Sequence, residues 1–230
     1  HRDLHSFPTR RSSDLKIGLP SGIQQTFVSL GMMVLSRIVN EFGATTMAAF
    51  TAASRIDSIA ALPAMNLSQA ITTFTGQNIG AGKIERVKRG HLSALGLSSA
   101  ISLAIGLVVI LAGAPLIGIF TTDAEVIRIG SEYFRIVGFF YFAFSFMMVN
   151  NGVMRGAGDV LVPMFITLVA LWLVRVPAAF LFTRVFGMGS KGVWWSIPAA
   201  WMIGGGASTW YYLAGRWKKK NLIGGARHNG

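Results

Sequence analysis

Of the 30 charged residues in this 230-residue chain, few sit in long apolar runs. Three charges interrupt the runs: Arg55, Asp57 and Arg175. A charge inside a lipid-embedded segment is costly, so each marks a transport pathway or a structural partnership. Asp57 has the chemistry to carry a proton or a cation, or to form an ion pair. Arg55 lies two residues away, a spacing that does not stack on one helix face. Arg175 stands two residues before Pro177. It either touches substrate, satisfies carbonyls freed by the proline, or snorkels to an interface. A second set is polar and uncharged: Gln24, Gln25, Asn66, Ser68, Gln69, Asn150 and Asn151. Amides in lipid need partners from other helices, water or ligand. Gln24, Gln25, Asn66, Gln69, Asn150 and Asn151 are therefore candidates for a substrate pathway that takes amphipathic organic cations. Met32, Met33, Met65, Met147 and Met148, with Phe140, Phe142, Phe144 and Phe146, would give it a soft wall. The competing reading of the same amides is glue between helices. Arg37 and Glu41, one turn apart, are expected to pair at an interface.

Several chemistries are excluded or unsupported. The chain has no cysteine, and its four histidines (1, 5, 91 and 228) are scattered, so no metal site is expected. No GxSxG, HExxH or paired aspartates within a span appear, so no catalytic residues and no enzyme are expected. The stretch from Gly76 to Lys83 fails as a phosphate loop, because position 77 is Gln and Ile84 follows Lys83. It reads instead as a tight glycine turn, followed by a short basic surface helix from Lys83 to His91. The net charge of +12 raises nucleic-acid binding. The charges lie at the edges of uncharged stretches, however, which fits a membrane topology signal and no nucleic-acid partner.

The elements that must hold these residues are membrane helices. Charged residues make up 13% of the chain and hydrophobic ones 52%, against about a quarter charged in soluble domains. A span needs about 20 apolar residues. Runs free of charge predict six helices near 17–39, 44–75, 91–113, 130–152, 161–183 and 193–214, with Ala114-Pro115 ending the third. The fold class is an all-α integral membrane protein of six transmembrane helices. Gly18, Gly22 and Gly204 to Gly206 suit close helix packing. Pro63, Pro177 and Pro198 are expected inside helices, where each can kink its rod. Residues 5–15 resemble one translated frame of a sequencing adapter, so 1–15 are expected to be an artefactual or disordered leader. The six-helix unit would then fill 16–217, with a basic tail over 218–230. Lys and Arg number nine in the loops on one side and three on the other. That predicts both ends of the segment in the cytoplasm of a multi-pass inner (plasma) membrane protein, with the lipid bilayer as partner. Trp194 and Trp195 at one side, and Trp210, Tyr211, Tyr212 and Trp217 at the other, are expected to form aromatic belts.

Several segments together resemble the multidrug and toxic compound extrusion (MATE) family. Ile17 to Gln25 resembles the start of its seventh helix, and Ala48 to Ala70, through Leu62-Pro63-Ala64, its eighth. Gly76 to Gly82 resembles the following loop, and Phe120 to Val126 the next outer loop. Arg155 to Asp159, Trp172-x-x-Arg175-x-Pro177 and Gly192-Val193-Trp194 continue the order. The resemblance implies one lobe, the C-terminal one, of a twelve-helix, two-lobe antiporter that exports organic cations in exchange for H⁺ or Na⁺ by rocking its lobes. It also implies an N-terminal lobe as the missing partner. Some members carry acidic cation ligands in helices seven and ten. Here Gln24 and Gln25 occupy the corresponding stretch of the first, and no acidic residue lies between Arg135 and Arg155. The coupling ion is therefore expected on the missing half, with no other cofactor. Arg155 and Asp159 are expected to fix a cytoplasmic turn. Two alternatives stay open: a lipid-linked-sugar flippase relative, and a half-size protein acting as a homodimer.

Overall fold

Lipid offers no hydrogen-bond partners, so an apolar chain there must close its backbone bonds within helices. The computed structural model describes residues 9–217, and these form six helical rods. The first three are α1 (Thr9–Asn40), α2 (Ala44–Gly80) and α3 (Ile84–Leu111). A short α4 (Gly113–Gly118) leads to the fourth rod, α5 (Ala124–Val137) and α6 (Tyr141–Gly156), joined through a 3₁₀ turn at Gly138–Phe140. The fifth is α7 (Leu161–Val169) and α8 (Val176–Phe180), with π turns at Ala170–Arg175 and Leu181–Val185. The sixth is α9 (Ser190–Leu213). No strand occurs among the described residues. The third, fourth and fifth rods are long and apolar enough to cross a membrane by length and composition. In α1, α2 and α9 the apolar content is diluted by amides, charges, glycines and tryptophans.

The sequence places the rods well and their ends less well. α2 runs five residues past 75, so Gly76 to Gly80 finish a helix, and the turn itself is only 81–83, with Gly82 at φ 70°. The expected surface helix from Lys83 to His91 is instead the first turns of α3, unbroken from Ile84. The fourth rod starts at Ala124 because Asp123 caps it, its Oδ1 accepting from the backbone N–H of Glu125 (2.8 Å) and Val126 (3.3 Å). α1 reaches back to Thr9, into the stretch set aside as a leader, since each residue added to an existing helix gains a backbone bond. Residues 1–8 and the tail 218–230 lie outside the described residues.

α6 packs between α2, α3 and α9, and α1 leans on α2, α7 and α8. Glycine permits these approaches: a Cβ at Gly204 would stand 2.6 Å from Met147 Sδ, and one at Gly205 3.1 Å from the Ala143 carbonyl oxygen. Trp194 and Trp217 are not belt residues, being fully buried. Trp194 stacks on Phe50 (5.6 Å between centroids) with Tyr133 edge-on, and Trp217 stacks on Tyr212 (5.5 Å). Each anchors an apolar cluster, Trp217 with Val87, Val149 and Val153. Burial of their rings inside the bundle outweighs an interfacial position for these two, whereas Trp195 and Trp210 stay exposed.

Candidate functional site

Two tyrosines converge on the one carboxylate carried in the apolar length of α2. Tyr133 of α5 donates its hydroxyl to Asp57 Oδ2, and Tyr141 of α6 donates to Oδ1. They stand eight residues apart on the fourth rod, on either side of its 3₁₀ turn. Among the described residues Asp57 thus makes hydrogen bonds and no ion pair. The carboxylate borders a cavity of about 260 Å³, also lined by Met32, Phe144, Arg175 and Trp201. Arg175, the last residue of the first π turn, lines this cavity. Its Nη1 reaches Met32 Sδ at 3.6 Å, while its buried Nε has no partner. Among the described residues no carboxylate pairs directly with Arg175, though its charge and that of Asp57 act on each other across the cavity.

This arrangement has simple chemistry. An ionised Asp57 is acceptor-only and holds both phenols as donors. A proton arriving there neutralises the group and releases one phenol. A small monovalent cation would find a carboxylate and two phenol oxygens in one place. Arg55 faces elsewhere, as the two-residue spacing predicts: it is exposed, 5.8 Å over the Phe120 ring. No group of three or more His, Asp or Glu able to hold a metal occurs among the described residues.

The amide candidates divide. Gln24 is half-buried, and Gln25, Asn66 and Gln69 are exposed. On α2 the exposed polar residues follow one another at three- and four-residue steps: Thr51, Arg55 and Ser58, then, after Leu62, Asn66, Gln69, Thr73 and Gln77. They form a stripe along one face. Hydrocarbon disfavours such a stripe, so it suits water or another protein surface. Asn150 is buried glue. Its Nδ2 donates to Thr209 Oγ1 (2.8 Å) and Ser208 Oγ (3.3 Å), and its Oδ1 lies 2.7 Å from His91 Nε2, tying α3, α6 and α9. Asn151 is equally buried, yet neither atom of its amide has a partner. Asp159 does fix its turn: Oδ2 accepts from the Tyr211 hydroxyl at 2.6 Å and Oδ1 from Val162 N–H at 3.4 Å. Sequence reasoning missed Tyr133 and Tyr141. Their signal was present as two phenols eight residues apart on a rod that also carries no acid from Arg135 to Arg155. His91, counted as scattered, is a core residue whose ring packs 3.8 Å from that of Tyr212.

Six rods with a polar stripe and an internal carboxylate describe an all-helical, multi-pass membrane protein. The chain belongs to the MatE family, whose profile matches residues 20–181. It is 31% identical over 209 residues to "Probable multidrug resistance protein NorM" of Thermotoga maritima, covering 91% of this chain and 45% of that protein. It is 34% identical over 211 residues to "Probable multidrug resistance protein YpnP" of Bacillus subtilis, covering 91% and 46%. Its fold matches the structure described as "Outward-facing conformation of a multidrug resistance MATE family transporter of the MOP superfamily" with a TM-score of 0.85 at 24% identity. That match covers 95% of this chain and 50% of the other. The chain therefore spans about half the length of the relatives it matches.

Proposed function

We propose that the chain is the C-terminal lobe of an exporter that moves amphipathic organic cations out of the cell in exchange for H⁺ or Na⁺. The observation that carries this reading is the Asp57 cavity, a carboxylate held by two phenols inside apolar rods. Buried ionisable groups in membrane helices mark ion and proton routes. The partner is an N-terminal lobe facing the stripe on α2, and Gln25, Asn66 and Gln69 contact substrate in the cleft between lobes. A coupling ion on that other lobe is compatible with Asp57 giving this lobe its own cation-responsive group. The end with Lys83, Arg86, Arg155 and Arg216 faces the cytoplasm of the inner (plasma) membrane. The chain has transport, not catalysis, as its role.

The test uses the complete protein in cells lacking other exporters, with ethidium efflux as the readout. Asp57→Asn is expected to abolish the acceleration of efflux by an imposed ion gradient. Gln25→Ala with Gln69→Ala is expected to raise the ethidium concentration at half-maximal rate. Wild-type gradient dependence in Asp57→Asn refutes the coupling role, and an unchanged double variant refutes the cleft assignment. A second reading, flipping of a lipid-linked sugar, is favoured by one observation: Arg55 and Arg175 outnumber Asp57 among the intramembrane charges. Flipping of a lipid-linked sugar in vesicles without ethidium efflux selects it. A homodimer of half-size chains would instead show efflux from this chain alone.

A further inference from the structure

The bundle holds a second, apolar groove that shares no lining residue with the Asp57 cavity or the α2 stripe. It runs between α1, the fifth rod and α9, has a volume of about 910 Å³, and is walled by apolar side chains such as Val34, Ile38, Leu173 and Phe180. Leu173 is 70% exposed and Phe180 57%. The polar groups lining it are Arg37 and Glu41 of α1, at one mouth. These were expected to pair with each other. Glu41 instead forms its ion pair with Arg184 of the second π turn, whose neighbours Phe182 and Val185 line the groove. Arg37 is exposed, and among the described residues no carboxylate pairs with it. Two guanidinium groups and one carboxylate leave the mouth with a net charge of +1. Arg37 stands one turn, about 6 Å, deeper than Glu41, and its stem allows the head to reach the level of lipid phosphates.

We propose that this groove is a phospholipid site, with the phosphodiester on Arg37 and one acyl chain along the apolar walls. A guanidinium fits phosphate oxygens through paired N–H donors, and an acyl chain matches a groove whose walls make no hydrogen bonds. A second copy of the chain is a poorer occupant, because it would bring the same net positive mouth to this one. The site depends only on the chain lying in a bilayer and not on what it transports.

The test is mass spectrometry of the intact chain released from nanodiscs of phosphatidylglycerol, counting retained lipids. Arg37→Gln is expected to cut retention about fivefold, the weight of one basic residue at a lipid surface. Ala178→Phe, which fills the groove, is expected to do the same, and Arg128→Gln at the same end of the bundle is expected to leave retention unchanged. Diacylglycerol with the same chains should be retained weakly. Wild-type retention in Arg37→Gln overturns the proposal, as does diacylglycerol retained as well as phosphatidylglycerol. A lipid-free dimer mass overturns it in favour of a second copy. Arg37 is exposed, so its variant reads the site even if Ala178→Phe misfolds.

Discussion

Asn150 and Asn151 are neighbours on α6, identical in type and both buried, and they make opposite predictions for stability. Asn150→Ala removes three hydrogen bonds, to Thr209, Ser208 and His91. Bonds between membrane helices are worth about 0.6 kcal/mol each on average, which gives about 2 kcal/mol. The loss also strands His91. Its Nδ1 is already without a partner, so the buried ring would have none on either nitrogen, adding about 1 kcal/mol. Asn151→Ala removes the same atoms, but its amide satisfies nothing. Relief of an unpaired buried amide offsets the small void, so the change should fall within about 1 kcal/mol of zero. The expected gap is about 3 kcal/mol, or roughly a hundredfold in the unfolding equilibrium constant. Reversible unfolding of the chain in mixed detergent micelles, followed by far-ultraviolet circular dichroism, measures it. Equal losses in the two variants, or a larger loss at 151, would refute the assignment of Asn150 as glue.

Two further predictions use the same assay. Tyr133→Phe and Tyr141→Phe each remove one donor to a charged acceptor and should each cost about 1.5–3 kcal/mol; against an Asp57→Asn background both penalties should shrink, and undiminished ones would show that the phenols act elsewhere. Gly106→Ala puts a Cβ against the carbonyl of Gly138, where α3 meets the 3₁₀ turn, and should destabilise by at least about 1 kcal/mol, whereas Gly96→Ala on the same helix meets nothing and should gain up to about 1 kcal/mol.

The rods were legible because hydrocarbon imposes a length and a charge rule that a sequence obeys visibly. Helix ends were less so. The glycines from 76 to 80 look like a loop, yet local conformational freedom does not end a helix whose backbone bonds continue; the chain breaks only where Gly82 takes φ 70°. Charges inside spans stand out in the sequence, but their partners come from distant segments. Asp57 meets residues 76 and 84 positions away, and pairing at that range has no periodic signature. The amides show the same limit: Asn150 and Asn151 read alike in sequence, and only the third dimension separates one that is saturated from one that is not. Arg37 and Glu41 had the right spacing for each other, and Arg184, 143 positions from Glu41, took the carboxylate.

The fifth rod carries two π turns, one on each side of α8. Each stores one residue more than an α-helical turn would hold. Passing that surplus along the backbone leaves the number of residues between the rod's ends unchanged while altering which side chain faces which neighbour. A segment between the old and new positions of the surplus turns by about 100° and slides by about 1.5 Å. Arg175 ends the first of these turns and α8 lies between the two. A screw motion that took Arg175 along with α8 would therefore carry its guanidinium around the rod, and so change what it faces across the cavity, with the ends of the rod standing still.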